Sequence, residues 1–198
     1  MKQKTKKEMF LDATMRIVAK NGLLSFSMRQ VTNETGTSEA LIYRHYTTKE
    51  NLLFQCFQSV DQQIASLFTD EKMPVIHSEK ELYEYIRSLW MKYFTFLVQN
   101  DYKTLYYFEY RDSPYIANVL EHETLSAHTY FKGFVDIFKA ISQEHHSLNE
   151  INENYLWTYI LDVTGLFAKR VIRGELPKDK GSYENVWRLI HSGLSCLL

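Results

Sequence analysis

The sequence predicts an all-α protein of about nine helices, and three observations predict it. Only seven Gly and three Pro occur among 198 residues, and the punctuation lies between periodic stretches: Pro74, Pro114 and Pro177 separate segments, and Gly22, Gly36 and Gly181 stand at segment ends. Apolar residues recur every three or four positions along nearly the whole chain. No period-two alternation runs long enough to compete, and there is no internal repeat. With 45% hydrophobic and 24% charged residues the chain can bury a core as one or two domains. Its two cysteines, Cys56 and Cys196, exclude a disulfide framework and suit a reducing cytosol.

Helices are expected over residues 4–21, 27–35, 38–46, 48–69, 78–99, 101–111, 113–143, 148–173 and 182–197. The basic start from Lys2 to Lys7 is followed at once by Glu8, which does not fit a secretory leader, and it reads as a tail rather than a minor-groove arm. No apolar run approaches the roughly 20 residues of a membrane span. A cytoplasmic protein with no membrane partner is expected. Gly22 closes the first helix, and Ser27 with Gln30 forms a capping box that opens the second. Gly36 ends the second helix, and Thr48 with Glu50 in the first turn opens the fourth.

Charge divides the chain. The first 53 residues carry nine Lys/Arg against five Asp/Glu, net +4, whereas the other 145 carry 14 against 19, net -5. Rings divide too: Phe10, Phe26, Tyr43 and Tyr46 lie in the first part and the other 25 of 29 in the second. Two domains follow, a basic module at 1–53 and a larger ring-rich helical domain at 54–198.

Between Ser27 and Tyr46 two short helices are joined by Thr35-Gly36-Thr37, a helix-turn-helix arrangement whose second helix enters the major groove of DNA. Ile42 and Tyr46, four apart, face the core in that reading, leaving Glu39, Ala40, Tyr43 and Arg44 outward. Arg29 suits a bidentate contact with guanine, Glu39 an acceptor for cytosine, and the Ala40 methyl a contact with thymine. Ser27 and Ser38 cap their helices and offer hydroxyl and N–H groups to phosphates.

Residues 9 to 53 resemble the DNA-binding domain of the tetracycline-repressor (TetR) family. The resemblance rests on Phe10-Leu11-Asp12-Ala13, Gly22, Ser27-Met28-Arg29-Gln30-Val31, Thr35-Gly36-Thr37-Ser38, Leu41-Ile42-Tyr43-Arg44-His45-Tyr46 and Thr48-Lys49-Glu50-Asn51-Leu52-Leu53. It departs at Val31-Thr32, Thr35 and Thr37, where the hydroxyls of Thr32 and Thr37 each need a partner. The resemblance implies phosphate contacts by Tyr43, His45 and Lys49 and base-facing positions for Arg29, Glu39, Ala40, Leu41 and Arg44. It also implies a homodimer on a near-palindromic operator, usually a repressor, released when a small molecule binds the C-terminal domain.

That domain supplies candidates for the ligand and the dimer. On the last helix Tyr183, Val186, Trp187, Leu189, Ile190, Gly193, Leu194, Cys196 and Leu197 fill an arc of about 200°, wider than one core contact needs. The preceding helix is apolar nearly all round. Trp157, Leu161, Gly165, Ala168, Val186, Ile190, Gly193, Leu194 and Leu197 are the expected dimer face, with an intramolecular core as the alternative. Segment 90–138 holds 14 aromatic residues. Trp90, Phe94, Tyr107, Tyr110, Ala127, Phe131, Phe134 and Tyr159 are expected to line a pocket, with the carboxylates Glu123 and Asp162 on apolar stripes. Each carboxylate needs a ligand, a Tyr hydroxyl or a basic partner. The expected ligand is hydrophobic or aromatic, ranked above an anionic acyl compound.

An enzyme is not expected. There is no Gly-rich phosphate loop, Gly-x-Ser-x-Gly elbow, Cys-x-x-Cys pair or His-Glu-x-x-His motif, and no Glu precedes any of the seven His by three residues. His122 and His128 diverge by about 240° around a helix, so they do not share a metal. No cofactor or metal is expected. The closer rival is a family member that works without a small ligand, as a protein-binding adaptor or an architectural DNA binder.

Overall fold

A computed structural model describes residues 5–69, 75, 77–117, 155 and 158–195. Among them are eight α-helices and no strand: α1 Lys6–Asn21, α2 Met28–Thr35, α3 Glu39–His45, α4 Lys49–Thr69, α5 Glu79–Gln99, α6 Asp101–Arg111, α7 Thr164–Ile172 and α8 Lys180–Ser195. A 3-10 turn, Pro114–Ile116, follows α6, and a π-helical turn, Thr158–Val163, leads directly into α7. The helices expected over 113–143 and 148–173 lie largely outside the described residues.

Local chemistry sets the helix ends. The Thr5 N–H donates to Glu8 Oε2 at 2.7 Å and the Glu8 N–H to Thr5 Oγ1 at 3.3 Å, closing a capping box at α1. At α2 the Ser27 N–H donates to Gln30 Oε1 at 2.7 Å. Gly36, at φ 65°, takes the left-handed conformation that lets the chain turn from α2 into α3. The hydroxyls that needed partners have them. Thr32 Oγ1 donates to the Arg29 carbonyl at 2.8 Å, and Thr35 Oγ1 bonds the Val31 carbonyl at 2.7 Å and Thr37 Oγ1 at 2.8 Å.

The chain forms two compact units, and each has its own core. The first comprises residues 1–63 with the stretch that begins at Tyr102, so it holds α1, α2, α3, most of α4, and α6. The unit containing the helix-turn-helix thus extends beyond residue 53, because α6 returns to pack on α1 and α4. Phe10, Val18, Val31, Ile42, Leu52, Leu53 and Cys56 are its fully buried centre. Phe57 stacks between Tyr107 and Tyr110, at centroid distances of 5.0 and 4.8 Å. Asp61 is buried as well and accepts a hydrogen bond of 3.1 Å from the Tyr107 hydroxyl.

One stripe of α6 holds the head together. Tyr102, Tyr106 and Glu109 recur at helical spacing and therefore face one way. The Tyr102 hydroxyl donates to Asp12 on α1, and the Arg16 guanidinium lies 4.4 Å from the Tyr102 ring centroid. Tyr106 donates to the Leu53 carbonyl of α4 at 2.6 Å, and Glu109 Oε1 accepts from the Leu23 N–H at 2.5 Å, just beyond α1.

The second unit comprises residues 64–101 and 126–198, with α5, α7 and α8 among its described elements. Trp90 of α5 is its pivot. It stacks on Phe94 at 4.9 Å, meets Trp187 of α8 at 5.5 Å, and donates its indole N–H to Thr164 Oγ1 of α7 at 3.0 Å. Trp187 donates to the Tyr83 hydroxyl at 2.8 Å, and Arg87 of α5 pairs with Glu184 of α8.

Alkali tests the first unit. Burial pushes Tyr46, Tyr102 and Tyr110 each up to about 12, helped at Tyr102 by its bond to Asp12. In the unfolded chain these phenols titrate near pH 10. Their raised values therefore give stability that is complete below about pH 10 and is lost between about pH 10 and 12. In an alkaline titration a late group of tyrosines should ionise together with loss of helical circular dichroism. Ionisation of all tyrosines near pH 10 with helicity intact would contradict this.

Candidate nucleic-acid interface

A helix of seven residues is too short to be stable by itself in water. Packing therefore decides which way α3 faces. Ile42 is fully buried and Tyr46, which caps the C-terminus of α3, is nearly so. The Tyr46 hydroxyl donates to the Lys7 carbonyl at 3.2 Å, fastening α3 to the first turn of α1. At the other end the Leu41 N–H reaches Ser38 Oγ at 3.4 Å, so Ser38 serves as the cap.

With that face inside, Glu39, Ala40, Tyr43 and Arg44 are exposed, as are Ser27, Arg29 and Ser38. Tyr43 keeps 43% of its surface open. Leu41, His45 and Lys49 are half-buried and also pack within the head. The His45 ring centroid is 5.8 Å from that of Phe10, and the Lys49 ammonium lies 5.5 Å from the Phe26 ring centroid. All ten expected DNA-facing residues thus come from three neighbouring pieces of the first unit: the start of α2, α3 with its cap, and the start of α4. The face offers cations at Arg29, Arg44 and Lys49, hydroxyls at Ser27, Ser38 and Tyr43, and one acceptor-only side chain at Glu39.

Sequence reasoning missed two residues beside this face. Leu24, in the turn between α1 and α2, is 99% exposed, while its neighbours Leu23 and Phe26 are buried. Glu109, which holds the Leu23 N–H, is separated from it by 86 positions and leaves no local signal. The other sequence-derived sites fare differently. Trp90, Phe94, Tyr107 and Tyr110, expected around a ligand, are buried against other protein groups, and Trp90 and Tyr107 bond to Thr164 and Asp61. Trp90 and Phe94 belong to the second unit, Tyr107 and Tyr110 to the first. Tyr159 and Asp162 are half-buried in the π-helical turn, a backbone form frequent at functional sites. Glu123, Ala127, Phe131 and Phe134 lie outside the described residues.

The residues expected at a dimer face are placed as follows. Leu161, Gly165, Ala168, Val186, Ile190 and Leu194 are buried within the chain's own second unit, where Trp90 and Trp187 draw α7 and α8 against α5. Gly193 is open to solvent on α8, but the space a β-carbon would take is occupied by Tyr159. Trp157 and Leu197 lie outside the described residues. Among the described residues from 155 to 195, the large apolar side chains that face outward are Tyr155 at 74%, Leu166 at 48% and Leu189 at 59% exposure.

Among the described residues no helix is long and apolar enough to cross a membrane, and no three His, Cys, Asp or Glu side chains group as metal ligands. A basic helix-turn-helix head with an exposed, polar second helix and a larger helical body defines a DNA-binding regulator. Residues 10–56 match the profile of bacterial regulatory proteins of the tetR family. The match covers the helix-turn-helix head, about a quarter of the chain, and supports a tetR-family regulator. Solved structures share the fold along almost the whole length. A TetR family transcription regulator from Marinobacter aquaeolei VT8 is similar at 20% identity, 93% coverage of each chain and a TM-score of 0.74. A TetR-family regulator from Haemophilus influenzae Rd is 21% identical over 92% of this chain and 94% of its own, with a TM-score of 0.65. FadR from Bacillus subtilis, solved in complex with stearoyl-CoA, is 16% identical over 95% of this chain and 99% of its own, with a TM-score of 0.58. No curated protein is matched by the sequence.

Proposed function

We propose that two copies of this chain bind a near-palindromic operator, one α3 in each of two successive major grooves, and that the dimer represses transcription until a small, largely hydrophobic or aromatic molecule releases it. The observation that carries the reading is the outward face of α3: Glu39, Ala40, Tyr43 and Arg44 are exposed because Ile42 and Tyr46 are buried. Arg29, Glu39, Ala40, Leu41 and Arg44 read bases in this account. Ser27, Ser38, Tyr43, His45 and Lys49 hold phosphates.

The exposed apolar side chains Tyr155, Leu166 and Leu189 supply surface on which a second copy packs. Release needs a route from body to head. α6 belongs to the head's unit and follows α5 after the single residue Asn100, so a ligand that shifts the start of α6 moves α1 through Tyr102 and Asp12. The aromatic composition of the larger domain supports a hydrophobic or aromatic ligand, cationic if Asp162 faces it. The stearoyl-CoA held by the Bacillus subtilis neighbour makes an acyl thioester the compound to set against it.

Tyr43→Phe or Lys49→Ala should weaken binding to every duplex, and Lys49→Ala should also flatten its salt dependence, whereas Arg29→Ala should relax preference at one base pair by about 1–3 kcal/mol. Unchanged gel-shift affinities and an unchanged preference would remove these residues from the interface.

Light scattering at micromolar concentration should give twice the chain mass, and Leu189→Asp should shift it toward the monomer. A monomeric wild type would contradict the dimer. Titrated with tetraphenylphosphonium and with stearoyl-CoA, the protein should show saturable tryptophan quenching and loss of duplex binding with the aromatic cation. A response to the acyl thioester alone would overturn the ligand class proposed here.

A further inference from the structure

The profile of the family ends at residue 56, yet the turn that leads into the reading face is held by a residue far outside it. Gly22 caps α1 at φ 84°, and the chain then passes through Leu23, Leu24, Ser25 and Phe26 before Ser27 opens α2. Leu23 and Phe26 are buried and joined by a hydrogen bond from the Phe26 N–H to the Leu23 carbonyl at 3.3 Å; Ser25 Oγ closes back on the Asn21 carbonyl at 2.6 Å. The Leu23 N–H points the other way, out of the turn, and Glu109 Oε1 takes it at 2.5 Å. The same oxygen would lie 3.4 Å from a β-carbon at Gly22, so carboxylate and glycine are fitted to each other.

The placement is costly without that bond. Carbonyl groups gather at the C-terminus of α1 and repel a carboxylate. A charge-assisted hydrogen bond to a backbone N–H offsets the repulsion and fixes the distance between α6 and the turn. Tyr102 and Tyr106 hold the earlier turns of α6 to α1 and α4, so Glu109 acts from a seated helix.

We infer that Glu109 is a positioning residue for DNA recognition: by holding the Leu23 N–H it sets where Ser27 and Arg29 stand at the start of α2, and so how accurately α2 and α3 read sequence. This rests on the DNA-binding reading above. It assigns to an α6 carboxylate, which touches no DNA, a share of operator specificity. Losing the anchor lets the turn and Arg29 shift, which weakens base contacts that need close geometry and leaves diffuse phosphate attraction largely intact.

The test uses the full chain and two duplexes: one recovered by the wild type from a random-sequence pool, and a scrambled duplex of equal length. Glu109→Ala, with native circular dichroism, should bind the recovered duplex about tenfold more weakly and the scrambled one within about twofold of wild type. Glu109→Gln, whose amide oxygen still accepts the Leu23 N–H, should retain discrimination. Should Glu109→Ala fail to fold, the same comparison is made with Glu109→Asp, one methylene shorter, with the same loss expected. Retained discrimination in the shortened variant, equal losses on both duplexes, or a Glu109→Gln as defective as the truncation would overturn the assignment. A wild type that recovers no sequence from the pool would instead overturn the DNA reading itself, and this inference with it.

Discussion

The reading face depends on one packing constraint: α3 has seven residues and cannot choose its own orientation. Ile42 and Tyr46 choose it, the first by complete burial and the second by burial plus a hydroxyl bond to the Lys7 carbonyl. Once these two side chains are inside, the helical period leaves Glu39, Ala40, Tyr43 and Arg44 outside. The Thr35–Thr37 hydroxyl pair and the left-handed Gly36 fix the turn before α3, and the Ser38 cap fixes its first residue. The neighbouring head residues are shaped by the same demand: Phe10, which supports His45, and Phe26, which lies under Lys49, each use one ring to seat a polar residue at the rim.

A second constraint enlarges the head beyond the motif. α6 carries Tyr102, Tyr106 and Glu109 on one stripe, and each makes a polar bond to a different part of the head: Asp12 on α1, the Leu53 carbonyl on α4, and the Leu23 N–H in the turn. Hydrogen bonds made by phenol donors and carboxylate acceptors demand narrower geometry than apolar packing does. The stripe therefore fixes α6 with little freedom to slide. On a neighbouring face Tyr107 meets Asp61, and Tyr107 and Tyr110 each stack with Phe57, so further contacts hold the same helix to α4.

What the sequence made legible was local. The Ser27–Gln30 pair, the glycine caps at 22 and 36, Thr48 before α4, and the i, i+4 spacing of Ile42 and Tyr46 all act within a few residues, and each is present in the structure. What it hid was long-range. Periodicity places Glu123 and Asp162 on apolar stripes, yet the fully buried carboxylate among the described residues is Asp61, which accepts from a tyrosine 46 positions away. Nothing in periodicity marks a π-helical turn, so the backbone around Tyr159 and Asp162 was read as ordinary helix. The expected dimer face rests on equally incomplete local evidence. An arc of apolar residues shows that a helix is covered, and it does not show by what; Val186 and Ile190 are buried within the chain, on the helix whose Trp187 meets Trp90.

The central claim is that two copies of a face ordered by Ile42 and Tyr46 read DNA in register. The most direct measurement is selection by the full-length protein from a random-sequence duplex pool, followed by sequencing of the enriched DNA. The account predicts an inverted repeat whose half-sites are centred about one helical turn, roughly 34–36 Å, or a small multiple of it apart. Enrichment of a single asymmetric site, or of no sequence above the starting pool, would contradict it.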